Sequence, residues 1–291
     1  MDQRPRKVQW ERMLPHEMEE AMAACPTALV PLGTLEWHGL QNCLGVDALK
    51  AHELCRQAAL AGGGVVLPPL YGGMGGVPEP FTVCIEDEEG TVSRILGNWL
   101  MALCMELGRV GFKAAIIVTG HYGATQQLIV REAATRATQR LAIPVLGTPE
   151  YFLAIDAGYT GDHGGVFETS LMMHLHPELV DLARLTGDPP YQGIGGGDAK
   201  RESSAEYGKE LSDVMVARLA TLATHMPSWD EATRTAFLRA EQALLNYQME
   251  AAGKARNTWA AWADVNRFAP YGRLLAEQRF AEIEALVEGL S

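Results

Sequence analysis

The feature that most constrains this chain is the alternation of short, almost wholly apolar runs with longer stretches of helical period. The clearest run, Ala114-Ala-Ile-Ile-Val118, carries no polar side chain at any position, so a strand made of it must be buried on both faces. Ala28-Leu-Val-Pro-Leu-Gly33, Val65-Val-Leu67 and Ile143 to Leu146 read as further strands. Between them, helical spacing is expected over about Ala48–Leu60, Thr91–Leu107 and Thr125–Leu141. In the second of these helices Ile95, Trp99, Ala102, Leu103 and Leu107 are expected to share a face. Repeated strand–helix–strand units predict an α/β fold with a mostly parallel sheet sandwiched by helices.

Beyond Ser203 the pattern is helical for most of its length, with Trp229, Trp259, Trp262, Phe268 and Phe280 as apolar anchors. The expected division is a main domain over residues 1–225 and a helical C-terminal extension over 226–291, packed on that domain or on a neighbouring subunit. Two stretches resist regular structure. Tyr71 to Glu89 is a candidate active-site loop, and Asp188 to Asp198 a second loop or lid.

Charge narrows the function classes. A net charge of −12 without a Lys/Arg cluster argues against a nucleic-acid partner. The five cysteines are irregularly spaced with no CxxC pair, which suggests neither a disulfide framework nor a structural zinc site. The polar start and the lack of an apolar run near the roughly 20 residues of a membrane span point to a cytoplasmic protein with no membrane association.

Ionisable residues collect where the strands end. The first strand runs into Gly33-Thr-Leu-Glu36-Trp-His38-Gly39, and Glu36 and His38 point to one side of an extended segment. Asp47 follows just before a helix, and His121 comes directly after the strongest strand, next to Gly120. Open α/β sheets form their sites beyond the carboxyl ends of the strands, so these side chains can share one cavity. Mixed carboxylate and imidazole donors suit zinc, manganese or iron, and a carboxylate such as Asp47 can bridge two ions. A structural role stays open for each, Asp47 being well placed as a helix N-cap. A second constellation, Asp162-His163-Gly-Gly-Val-Phe-Glu168-Thr-Ser170, leads through a glycine-rich turn into an apolar helix. Glu168 falls in that helix's first turn, where the dipole favours a carboxylate. Capping by Asp162 or Glu168 is the alternative there.

Taken together these segments resemble the creatininase family, the creatinine amidohydrolases. The resemblance rests on Gly33-Thr-Leu-Glu36-Trp-His38-Gly39, Asp47, Thr119-Gly-His121 and His163-Gly-Gly-Val-Phe-Glu168-Thr-Ser170, and continues into Leu171 to Val180. It covers roughly residues 10 to 220. It implies a creatininase-like α/β fold, with Glu36, His38, Asp47 and His121 as metal ligands and Glu168 as a ligand or close partner of one. His163 resembles the family's general acid/base, with Asp162 beside it. Separately, Trp37, Tyr71, Phe81 and Tyr122 are candidate substrate-facing aromatics, with ordinary packing the alternative for each.

The chain departs from creatininase at Gly123, where creatininase carries a glutamate that serves its second metal. One or two divalent ions are therefore expected, zinc first and manganese or iron as alternatives. The activity implied is metal-dependent hydrolysis of a cyclic amide or another small C–N amide or formamide, and the departure at Gly123 points away from creatinine itself. Alternatives are hydrolytic ring opening of a cyclic diketone derived from a sugar or inositol, and a non-catalytic metal-binding scaffold. The family resemblance also implies a homo-oligomer, often a hexamer.

Overall fold

The computed structural model describes residues 7–73, 75–77, 79–83, 85, 91–254 and 265–289. Trp259 and Trp262, and much of the acidic end of the 71–89 loop, lie outside these described residues. In chain order the main elements are α1 (Pro15–Ala24), β1 (Thr27–Gly33), α2 (Val46–Gly62), β2 (Val65–Val66), β3 (Leu70–Tyr71), α3 (Thr91–Val110), β4 (Ala114–Thr119), α4 (Ala124–Leu141) and β5 (Val145–Pro149). They are followed by α5 (Val166–Leu175), α6 (Ala199–Glu202), α7 (Ala205–His225), α8 (Glu231–Lys254), α9 (Tyr271–Ala276) and α10 (Phe280–Glu288).

The sheet is parallel throughout, in the order β2-β1-β4-β5, with β3 also pairing with β1. Every residue of β1, β4 and β5 is buried, as apolar runs without alternation require. Successive side chains point to opposite faces. Thus Leu29, Ile116, Val118 and Leu146 join the core on one face, and Ala28, Val30, Leu32, Ala115, Ile117 and Val145 the core on the other. The second core takes in α1, α3 and α4, and the first takes in α2, α5, α7 and the C-terminal helices.

Three expectations need adjustment. The Thr91–Val110 helix buries Leu96, Leu100, Cys104 and Leu107, whereas Ile95 is 62% and Trp99 47% exposed. Leu107, and Leu103 in part, pack as expected, but the first two turns present the neighbouring stripe, because Leu96 and Leu100 meet the sheet and α4. The fifth strand begins at Val145 and runs to Pro149, later than Ile143, because it pairs with Ala115–Thr119. Finally, α2 starts at Val46 with Gly45 as its cap residue. Asp47 therefore sits inside the first helical turn and is not the N-cap.

The C-terminal helices share the first core through Trp229, Phe237, Leu244, Phe268, Tyr271, Phe280 and Ile283. A buried ionic cluster ties them to α4: Arg131 pairs with Glu241, and Tyr271 Oη donates to Glu241 Oε1 at 2.7 Å. No described helix is long and apolar enough to cross a membrane.

Candidate metal centre

Two glycines let the start of α2 press against the ends of β1 and β4. A Cβ on Gly33 would lie 2.3 Å from the Ala48 nitrogen, and one on Gly120 would lie 2.0 Å from the Asp47 carbonyl oxygen. Both obstacles are backbone, so no side-chain rotation relieves them. Asp47 is thereby seated between the segments after the two strands, with its carboxylate in the positive field of the helix start. Gly120→Ala is expected to cost about 1–3 kcal/mol in urea unfolding and to weaken metal binding in the same protein by shifting Asp47. A variant that keeps both wild-type stability and wild-type metal affinity would contradict this account.

The chain after β1 brings Glu36 and His38 to this spot, the chain after β4 brings His121, and the first turn of α5 brings Glu168. All four, with Asp47, are buried. Asp47 divides its oxygens between the two histidines: Oδ1 lies 3.1 Å from His38 Nε2, and Oδ2 lies 3.1 Å from His121 Nδ1. Glu36 Oε2 is 2.9 Å from His121 Nδ1, and Glu168 Oε2 is 3.4 Å from His38 Nε2. The donors form two sets joined at Asp47, namely Glu36, Asp47 and His121, and His38, Asp47 and Glu168, each gathered within 4.8 Å. A further grouping adds His163 to Glu36 and His38.

The hydrogen bonds test whether a cation fits. His38 Nδ1 lies 3.0 Å from the Glu36 carbonyl oxygen. A carbonyl only accepts, so Nδ1 carries the proton and Nε2 is left with its lone pair. In the neutral ring that lone pair faces two carboxylate oxygens, and Glu36 Oε2 likewise faces His121 Nδ1 at 2.9 Å. Lone pair against anion is repulsive unless a cation stands between them, so the donor set fits a divalent ion. Without one, protons take the place. Burial disfavours the charged imidazoles, but Asp47 and Glu168 outweigh it at His38 and raise it to about 9. At His121, burial is likewise overcome by Asp47 and Glu36, which raise it to about 10. Burial and the nearby His38 hold His163 below the ordinary histidine value, so it is neutral at pH 7.

His163 is partly buried, with its ring centroid 4.3 Å from that of His38. Its Nε2 lies 2.7 Å from the Trp37 carbonyl oxygen, which leaves Nδ1 with the lone pair. Paired backbone bonds hold it to the 187–198 segment: His163 N donates to Gly195 O at 2.8 Å, and Gly195 N to His163 O at 2.7 Å. Trp37 Nε1 donates to Gln192 O at 3.2 Å, so the expected lid is fastened along the rim of the centre. Asp162 turns the other way. Its carboxylate accepts from the backbone nitrogens of Phe167 at 2.7 Å and Glu168 at 3.1 Å, bracing the start of α5. Burial and Glu168 lift its pKa to about 7.

The aromatic candidates separate. The Tyr122 ring lines a cavity of 170 Å³ with Tyr151, Thr160 and Asp162, while its hydroxyl points into a buried polar cluster. Phe81 is 75% exposed, and Tyr71 belongs to a different, apolar cavity with Ile95 and Trp99. Lys50, Glu150 and Tyr159, all fully buried beside the centre, escaped the sequence reasoning. Two signals pointed to them. Lys50 stands on the inward face of α2 among Ala51 and Leu54, and Glu150 directly follows β5, where the strand-end rule places functional groups.

A parallel α/β sheet with buried carboxylates and imidazoles converging beyond its strand ends is the arrangement a metal-dependent hydrolase needs. The sequence model described as creatininase, creatinine amidohydrolase, matches residues 11–223. The chain belongs to the creatininase family. It is 33% identical over 204 residues to the creatinine amidohydrolase of Pseudomonas putida, covering 60% of this chain and 74% of that protein. It is 26% identical over 189 residues to a 3-dehydro-scyllo-inosose hydrolase of Thermotoga maritima, covering 62% of this chain and 56% of that protein. A crystal structure of creatinine amidohydrolase superposes with a TM-score of 0.64 at 26% identity, covering 76% of this chain and 99% of that one. Zinc–zinc and manganese forms of creatininase match comparably, each with a TM-score of 0.62.

Proposed function

We propose that this enzyme hydrolyses a cyclic amide or a similarly small C–N amide at a centre formed by Glu36, His38, Asp47, His121 and Glu168, with His163 as the proton-transfer residue. The observation that carries this is His38 Nε2, turned on Asp47 at 3.1 Å and Glu168 at 3.4 Å while Nδ1 is taken by the Glu36 carbonyl, so that a proton or a metal ion must stand between ring and carboxylates. A divalent ion there supplies a Lewis acid for the scissile carbonyl and a water of lowered pKa. Zinc suits the donor types best, with manganese or iron as alternatives. Glu168 takes the place of the glutamate missing at Gly123, so both donor sets are complete without that residue. His163, neutral and bordering the centre, accepts the proton of the attacking water and returns it to the leaving nitrogen. Tyr122 and Trp37 frame the substrate, whereas the exposure of Phe81 gives it no evident part. Creatinine itself is not the expected substrate, since the residue at Gly123 differs.

A second reading is ring opening of a cyclic diketone, favoured by the likeness to the inosose hydrolase. It uses the same groups but releases carbon in place of nitrogen. Both are tested on protein purified without added metal. Plasma mass spectrometry should find one or two equivalents of divalent metal per chain, and cyclic amides such as hydantoins and lactams should be opened. Turnover of cyclic diketones alone would select the second reading. Metal that is neither present nor taken up would end both.

The 226–291 segment is proposed as an extension of the 1–225 domain, supported by its share of the first core. A cytoplasmic homo-oligomer is proposed as well. The exposed Ile95, Trp99, Tyr71 and Ile85 supply apolar surface for subunit contact. Light scattering on the same preparation measures the subunit number, and a monomer would remove that proposal.

A further inference from the structure

Lys50 lies three residues after Asp47 on α2 and is fully buried, yet nothing proposed above uses it. Its Nζ touches Glu168 Oε1, lies 3.1 Å from Glu150 Oε1, donates to Tyr122 Oη at 2.8 Å and stands 4.0 Å from the centroid of the Tyr122 ring. Tyr122 Oη in turn donates to Glu150 Oε1 at 2.5 Å and meets Tyr159 Oη. The ammonium is thus fixed from several sides in a fully buried pocket. Glu168 is the link to the centre. One oxygen is held by Lys50, while the other accepts from Gly164 N at 2.7 Å and faces His38 Nε2 at 3.4 Å.

The two donor sets are therefore unequal. In the set of Glu36, Asp47 and His121, Glu36 is steadied by a neutral donor, Val77 N at 2.6 Å. In the set of His38, Asp47 and Glu168, one of three donors already neutralises a permanent cation. An ion placed there meets a carboxylate with part of its charge already spent and a like charge behind it, in a medium that screens poorly.

Resting on the metal-centre reading above, we propose that Lys50 is a positioning residue that makes the centre asymmetric: it fixes Glu168 and weakens the His38, Asp47 and Glu168 set for a divalent ion relative to the Glu36, Asp47 and His121 set. A chain that keeps Glu168 in place of the glutamate absent at Gly123 would then hold its two ions with very different grip. Retention of one ion through purification, with the second lost to dilution, is the ordinary consequence.

The test is calorimetric titration of the metal-stripped full chain with zinc, comparing wild type with Lys50→Met. Wild type is expected to take one zinc tightly and a second weakly or not at all. In Lys50→Met the second step should tighten by about tenfold or more, with a smaller change in the first. A merely structural lysine would lower stability and loosen both steps together. A second step that is unchanged, weaker or still absent in the variant overturns the proposal. If Lys50→Met does not fold, it is combined with Glu150→Gln to keep the cluster's charge balanced, and the comparison is made with Glu150→Gln alone, against which the second step should tighten. Zinc bound by neither protein removes the metal centre itself. Zinc bound by both with the same ratio of affinities removes only the role of Lys50.

Discussion

Asp47→Asn is expected to leave a folded chain that purifies without its metal and loses about 10³-fold or more in kcat/KM, the several kcal/mol a metal ion contributes at about 1.4 kcal/mol per decade. No other residue stands in both donor sets. Its Oδ1 faces His38 and its Oδ2 faces His121, each at 3.1 Å, so one substitution removes the anion common to both. The same geometry fixes how metal binding responds to pH. In the metal-free protein, carboxylates raise His38 to about 9 and His121 to about 10 against the cost of burial. Both rings therefore carry the extra proton at pH 7, and a cation must displace it. Affinity then rises with pH below these values, by up to about 100-fold per unit if both protons leave together. Titrations in buffers of different ionisation enthalpy should count up to two protons released per chain in wild type. Asp47→Asn removes the charge that raises both imidazoles, so fewer protons should be released on any residual binding. Wild-type metal content in Asp47→Asn would show that Asp47 is not the ligand that joins the two sets.

Much of this arrangement could be read from the sequence because the same residues serve fold and site. Ala114 to Val118 had to be a strand buried on both faces, and the residue placed two beyond Thr119 had to emerge at the sheet's carboxyl edge. Glu36 and His38 followed from the same rule on β1. What spacing could not supply was the approach of α2. Its first turn enters the gap between strand ends only because Gly33 and Gly120 lack a Cβ, and this makes Asp47 a group inside the helix instead of its cap. For the same reason Lys50, one turn on, faces the polar cluster and not solvent. A lone lysine in a helix ordinarily marks the wet side; the apolar Ala48, Ala51 and Leu54 around it hint otherwise, and their burial with it decides the matter. The misplaced face of α3 has a different origin. Ile95 and Trp99 match the helical period as well as Leu96 and Leu100 do, so periodicity alone could not choose between adjacent apolar stripes, and only the packing partners decide.

His163→Ala should retain wild-type metal content while kcat falls by about 10²–10⁴-fold, the range for loss of a positioned acid/base. The two effects separate because His163 borders the donors without joining the Asp47-centred sets: its Nε2 lies 3.9 Å from Glu36 Oε1 and is engaged by the Trp37 carbonyl at 2.7 Å. The pH profile adds a sign. Burial and His38 push its pKa below the ordinary histidine value, and a base works only when neutral. Turnover of the loaded wild type should accordingly stay level through pH 7 and fall on the acid side, below the ordinary histidine range. That acid limb should be missing from the residual activity of His163→Ala, and added imidazole should restore part of the rate in the vacated space. A variant that loses its metal as well would make His163 a ligand through its grouping with Glu36 and His38. A variant with metal, full turnover and an unchanged profile would leave the ring with only the work of tying Gly195 and Trp37 to the rim. The lone pair on Nδ1, left over once Nε2–H is given to Trp37, is the one that can take the proton.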